Sequence, residues 1–192
     1  DAVRYLQGIF LTMWNQETKQ HIGGPVYFPD IPQLPDSISE EIAIVDRTPR
    51  ETPRSISHAY AASIAAAQHS IQIVNPYFVP TKSIRQAIKH ALKKGTEVEI
   101  MIPSVSDIPF TPEASFYIVH KLMKKGAKVY LFNGGFHHSK IMMVDQNFCT
   151  VGTANLNSRS LRYDFETNAF IFDPTVTHQL NDMFERDKKN ST

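Results

Sequence analysis

Apolar positions along the chain recur in two periods, and their alternation predicts helices and strands in turn. Val3, Leu6, Phe10, Met13 and Trp14 stand at helical spacing within residues 1–20. Residues 21–37 interrupt the pattern with Gly23-Gly24-Pro25, Pro29, Pro32 and Pro35, and read as a connector. Residues 41–46 form a short apolar strand, 47–54 with two prolines and three arginines is a loop that reads as a solvated basic turn rather than a head-group contact, an alanine-rich helix runs over 57–68, and 71–75 is the next strand. Thr81 stands at a helix N-cap, Ile84, Ile88 and Leu92 share one face, and Gly95 ends the helix. A strand over 97–102 follows, then a helix opened by Thr111-Pro112-Glu113 that carries Val119, Leu122 and Met123 to a stop at Gly126. A strand at 129–132 leads through Gly134-Gly135 into two short apolar arms, 139–144 and 148–152, and a further run at 166–172. Strands alternating with helices, followed by a hairpin, predict an α/β fold: a mixed, mostly parallel sheet with helices on both faces.

Composition narrows this picture. A chain of 192 residues with 42% apolar content can bury one core. Lys and Arg total 20 against 19 Asp and Glu, so there is no global field to draw in nucleic acid, and anion binding must be local, through Lys140 with Arg159 and Arg162. Cys149 is the only cysteine and lies in an apolar run, which makes it a buried thiol and excludes a disulfide within the chain. No apolar run is long enough to cross a bilayer and no signal peptide is evident, so the chain as given is expected to be soluble. Its start at Asp1 suggests a fragment or a processed product. Phe110, Phe116 and Tyr117 are expected to pack in the core rather than face lipid.

The chemistry concentrates in 138–155. His138, Lys140, Asp145, Gly152, Thr153 and Asn155 specify six positions, and at ~1/20 per fixed residue such a match arises by chance in roughly a few chains per million. Asp145-Gln146-Asn147 separates the two apolar arms, so they read as a hairpin, and a loop centred on Gln146-Asn147 opposes Lys140 to Thr153 and His138 to Asn155. In that register the four polar groups share one face, whereas Asp145 has the opposite parity and holds the turn. A neutral imidazole is a competent nucleophile, and a fixed ammonium, a hydroxyl and an amide N–H stabilise the oxygens of a phosphodiester under attack. These residue types make His138 the nucleophile or general acid, Lys140 the phosphate clamp, and Thr153 and Asn155 further phosphate donors. A third group should orient the imidazole; Glu166 is the first candidate and Asp164 the second. Zinc is a poor fit, because a lysine is not a ligand and no cysteine or histidine stands at a paired spacing.

This segment resembles the HKD motif of the phospholipase D superfamily. Gly152-Thr153-Ala154-Asn155-Leu156-Asn157-Ser158-Arg159-Ser160 resembles the form found in bacterial cardiolipin synthases, which usually carry Asp where Asn157 stands. Asn75-Pro76-Tyr77-Phe78-Val79-Pro80, and Pro103 with Ser106-Asp107, resemble segments that follow two of their strands. The resemblance covers roughly residues 40 to 180. It implies two facing HKD lobes, with one histidine forming a phosphohistidine and the other protonating the leaving alcohol, and neither metal nor cofactor. It gives His138, Lys140 and Asn155 the roles just derived, makes Glu166 the carboxylate that positions the histidine, and places Asp145 in the motif as a structural aspartate.

Only one such motif is present. The resemblance therefore implies that residues 1–37 are the closing helix of a preceding lobe plus a connector, and that 38–192 form one phospholipase D-like catalytic lobe. The implied activity is phosphatidyl transfer, converting two phosphatidylglycerols to cardiolipin and glycerol. The implied partners are that anionic phospholipid, a second HKD lobe in cis or by dimerisation, and the cytoplasmic side of a bacterial cell membrane. The alternatives are a homodimeric phosphodiesterase of the nuclease type, which the single motif favours and the near-neutral charge disfavours, or a lone lobe inactive by itself.

Overall fold

The computed structural model describes residues 2–28, 41–109 and 111–192. Its elements are α1 (Ala2–Thr18), β1 (Glu41–Arg47), α2 (Ser55–Ala66), β2 (Ser70–Val74), α3 (Lys82–Lys94), β3 (Glu97–Pro103), α4 (Thr111–Met123), β4 (Lys128–Phe132), β5 (Ile141–Val144), β6 (Phe148–Gly152), β7 (Glu166–Phe172) and α5 (Pro174–Lys188). Among the described residues the strands form one seven-stranded sheet in the order β1-β7-β6-β5-β2-β3-β4. The α/β class and the mixed sheet agree with the sequence pattern. The share of parallel pairing does not: β2–β3 and β3–β4 are parallel, while β1–β7, β7–β6, β6–β5 and β5–β2 are antiparallel. Only in the β2-α3-β3-α4-β4 stretch do helices connect strands that lie next to each other in the sheet, and parallel neighbours require such crossovers.

Helices cover both faces. On one, Ile56, Tyr60 and Ile64 of α2, Ile84 and Ile88 of α3, and Ile118 and Leu122 of α4 pack over Ile71, Ile73, Ile100 and Met142. On the other, Phe184 of α5 is fully buried against Val74, Met101, Met143 and Cys149. β3 is buried at every residue after Glu97, as a strand covered on both sides must be, and this is why its sequence is a continuous apolar run. Cys149 is a buried thiol, and burial pushes its pKa up.

The element boundaries mostly follow the periodicity. Gly95 ends α3 in the left-handed conformation at φ 90°, while Thr81 occupies the N-cap without capping through its side chain. α5 was not anticipated, although its start is conventional: Pro174 occupies the first turn and the Asp173 carboxylate accepts from the Val176 N–H at 2.7 Å. Phe116 packs against the core, but Tyr117 is 62% exposed, so its core assignment is corrected; Phe110 and connector residues 29–37 lie outside the described residues. α1 buries only Leu11 and leaves Val3, Leu6, Phe10 and Trp14 exposed. Among the described residues no helix is long and apolar enough to cross a membrane.

Candidate active site

The topology gathers the motif at one end of the sheet. Val74 pairs with Ile141, Ile141 with Val151, Gly152 with Asn168, and Arg47 with Glu166. The C-terminal ends of β1, β2 and β6 therefore meet the N-terminal ends of β5 and β7, and strand ends of this kind are where α/β sheets place ligand sites. Gly152 makes the close approach possible, because a Cβ there would collide with the Asn168 side chain and the Thr167 carbonyl.

The hairpin register differs by one residue from the sequence expectation. Val144 pairs with Phe148 and Ile141 with Val151, so the loop is the three residues Asp145-Gln146-Asn147. Asp145 and Gln146 both adopt left-handed backbone, φ 51° and 61°, and the Asn147 N–H donates to the Val144 carbonyl at 3.3 Å. Two left-handed residues make a tight turn suited to the strand twist, and this centres the loop on Gln146. Strand pairing also stops at Ile141 and Gly152. His138, Lys140, Thr153 and Asn155 therefore lie beyond the ladder, and a shared strand face does not hold them together.

Loop contacts join them in two groups instead, Lys140 with His138, and Thr153 with Asn155 through Ser160 and Glu166. Lys140 is 7% exposed, and its ammonium donates to the His138 carbonyl at 2.7 Å. Burial lowers its pKa, partly offset by the negative charge of Glu166 and Asp107. His138 is exposed, with its ring edge-on to Tyr77 at 6.0 Å and tilted against Phe136 at 5.3 Å. Thr153 donates to the Glu166 carboxylate, which also accepts from the buried Ser160 hydroxyl. Glu166 thus grips the loop that carries Thr153 and Asn155, and among the described residues no hydrogen bond joins it to His138. The Asn155 N–H donates to the Ser160 hydroxyl at 2.9 Å, and among the described residues its buried side-chain oxygen has no partner. Asn157, in the position where an aspartate was expected, accepts from the Ser160 N–H at 2.8 Å, a bond its amide oxygen makes as readily as a carboxylate.

Asp145 stands at the opposite end of the hairpin. Its carboxylate accepts backbone N–H bonds from Gln68 and His69 at 2.8 Å and from Ser70 at 2.9 Å. Burial pushes its pKa up, but these three bonds outweigh that and hold it below the usual carboxylate value. Asp164 sits near Arg159, 3.4 Å from its Nε, and Arg159 is itself largely exposed.

Several contributors were not singled out from the sequence. Asn75, fully buried, accepts from the Leu156 N–H at 3.1 Å and so fastens the loop after β2 to the motif loop. Tyr77 donates to Asp107 at 2.6 Å, joining the loops after β2 and β3, and its pKa is pushed up to about 12 by burial and by that carboxylate. Both residues lie in the quoted Pro-Tyr-Phe and Ser-Asp segments, but nothing local distinguishes them as partners. Asn168 donates to Tyr60 and Thr150 and accepts from the Ala154 N–H. The run 47–54 reads from the sequence as a solvated basic loop, but Arg47 closes β1 and is 1% exposed; it donates to the Asp164 carbonyl, and among the described residues its buried Nε and Nη2 have no partner. A buried donor left unpaired costs on the order of 1–3 kcal/mol. Arg47, Thr153 and Glu166 line a cleft of about 1070 Å³ whose far wall is α1.

A protein-family profile described as "Cardiolipin synthase, PLD-like domain" matches residues 60–188. Over its whole length the chain is 35% identical to the cardiolipin synthase of Oceanobacillus iheyensis and to cardiolipin synthase 1 of Staphylococcus epidermidis, and over 96% of its length it is 38% identical to the cardiolipin synthase of Staphylococcus aureus. It spans 37–40% of the length of these relatives. Among solved structures, the phospholipase D family member Nuc from Salmonella typhimurium superimposes with a TM-score of 0.70 at 17% identity, covering 80% of this chain and 97% of Nuc. The phosphatidylserine synthase of Haemophilus influenzae gives a TM-score of 0.63 at 17% identity, covering 79% of this chain and 39% of that one. These structural likenesses are of fold.

Proposed function

The chain belongs to the cardiolipin synthase PLD-like domain family, and from that premise we propose that it is the C-terminal catalytic half of a phosphatidyl transferase that converts two phosphatidylglycerols to cardiolipin and glycerol. The observation that carries this reading is the end-to-end match to cardiolipin synthases at 35% identity. The contacts around His138 and Lys140 supply the chemistry. The His138 imidazole attacks the phosphorus of one phosphatidylglycerol, a P–N bond forms, and glycerol leaves with a proton from a second histidine on a facing lobe. The hydroxyl of a second phosphatidylglycerol then attacks the phosphohistidine, returning its proton to that histidine as the P–N bond breaks and cardiolipin departs. Lys140 and the Asn155 side-chain amide stabilise the charge on the nonbridging oxygens, and Thr153 joins them when its hydroxyl turns from Glu166 to the phosphate. Glu166 holds the loop that positions Thr153 and Asn155, and its negative charge favours the protonated Lys140. Asp145 carries the hairpin and takes no part in the chemistry. The full-length protein works at the bacterial cell membrane, where its substrate lies.

The test is incubation with vesicles containing radiolabelled phosphatidylglycerol. The expected result is labelled cardiolipin together with protein-bound label that resists base and is released by acid, as a phosphoramidate is. His138→Ala should lose both. Retention of the bound label in that variant would overturn the assignment. A second reading, a lone lobe that pairs with its own copy to complete the site, is favoured by Nuc, whose whole chain matches this single lobe over 97% of its length.

A further inference from the structure

We propose that the cleft between α1 and the loop after β1 is a second phosphate subsite, which takes the phosphodiester of the acceptor phosphatidylglycerol. The inference rests on the reading above and deepens it. Arg47, which lines the cleft, is buried, yet among the described residues two of its guanidinium nitrogens have no partner. Arg50 is exposed on the cleft wall. The Nε–Nη2 edge of a guanidinium carries two donors that match the nonbridging oxygens of a phosphodiester, and Arg47 lines the cleft.

The position suits the chemistry. Cardiolipin holds two phosphates joined by one three-carbon glycerol, so the acceptor's own phosphate must lie within a glycerol's length of the reacting phosphorus. The cleft shares Thr153 and Glu166 with the candidate active site, which places it next to the groups assigned to the first phosphate. Ile9 and Met13 of α1, with Phe165, add an apolar wall suited to the acyl-bearing side of the lipid.

The carboxylates of the cleft refine the ligand. Asp46 accepts from the Tyr5 hydroxyl at 2.8 Å and Glu166 from two hydroxyls, which leaves Glu51 at the rim. A hydroxyl bond does not discharge a carboxylate, so Asp46, Glu51 and Glu166 together offset Arg4, Arg47 and Arg50 around the cleft, and a cleft so balanced tolerates a singly charged diester better than a doubly charged phosphate monoester. The site therefore prefers a phosphodiester over inorganic phosphate.

Binding of glycerophosphoglycerol, the water-soluble headgroup of phosphatidylglycerol, tests this without turnover. Calorimetry on the Lys140→Met variant, which disables the first phosphate clamp, should still detect the diester, more tightly than inorganic phosphate. Adding Arg50→Gln or Arg47→Gln should weaken it at least roughly tenfold. Because Arg47→Gln is buried and can unfold the chain, the exposed Arg50→Gln decides. Unchanged affinity in that variant, or inorganic phosphate binding as tightly as the diester, overturns the subsite. In vesicle assays Arg50→Gln should raise the acceptor KM while leaving the rate of protein labelling unchanged. A wild-type protein that forms no phosphohistidine but binds the diester through Arg50 would sink the transferase reading and leave the phosphodiester site standing.

Discussion

Among single residues, Asp145 separates fold from chemistry. It belongs to the same six-position pattern as His138 and Lys140, yet its carboxylate serves three backbone N–H groups at the start of β2. Asp145→Asn replaces two charged acceptor oxygens with one neutral oxygen and an NH₂ facing further donors, and should cost on the order of 1–3 kcal/mol of stability. The folded-state pKa is depressed, so the stabilisation is fully present above the unfolded value of about 3.9 and disappears as pH falls through the folded value. Urea unfolding should show the widest gap between wild type and Asp145→Asn at pH 7 and a narrower one near pH 3. A variant that folds normally at pH 7 yet fails to form phosphohistidine would instead move Asp145 into the chemistry. Its opposite parity set it apart from His138 and Lys140 in the sequence, but its partners did not show there, because Gln68, His69 and Ser70 lie 75 to 77 residues upstream, beyond any local turn pattern. The partners of Glu166 were no more legible: Ser160 and Thr153 reach it through the loop after β6, whose path no periodicity describes.

At the level of elements, the sequence located nearly every strand and helix, since apolar period follows burial, but it misjudged the β5–β6 register by one residue. The turn Asp145-Gln146 lacks glycine, so nothing local announced two left-handed residues in succession. The same hairpin depends on Gly152. A methyl group there meets the Thr167 carbonyl, which is backbone and cannot turn aside, so β6 and β7 must separate. Gly152→Ala should destabilise the chain by about 1–3 kcal/mol through overpacking and displace Thr153 from Glu166. The thermal midpoint reports the first effect. The second appears as a loss of phosphohistidine formation that cooling, which restores the folded population, does not rescue. Gly152→Ala with wild-type stability and labelling would show that the strands have room to part.

Across the whole molecule, the strand order is what the sequence concealed. Placing β7 between β1 and β6 sets Arg47 beside Glu166, residues separated by most of the lobe, and pairings of that range leave no mark on local composition. The same end of the sheet presents one exposed His138, while phosphatidyl transfer through a phosphohistidine uses two histidines. If this chain turns over alone, the second histidine must come from another copy, and its specific activity should rise with protein concentration until the dimer saturates. Sedimentation across the same range should show a monomer–dimer transition with a matching midpoint. Mixing wild type with excess His138→Ala should then suppress activity below simple dilution, because mixed dimers carry one histidine. Specific activity independent of concentration in a strict monomer would mean that a single lobe completes the reaction, and the facing-lobe mechanism would fall.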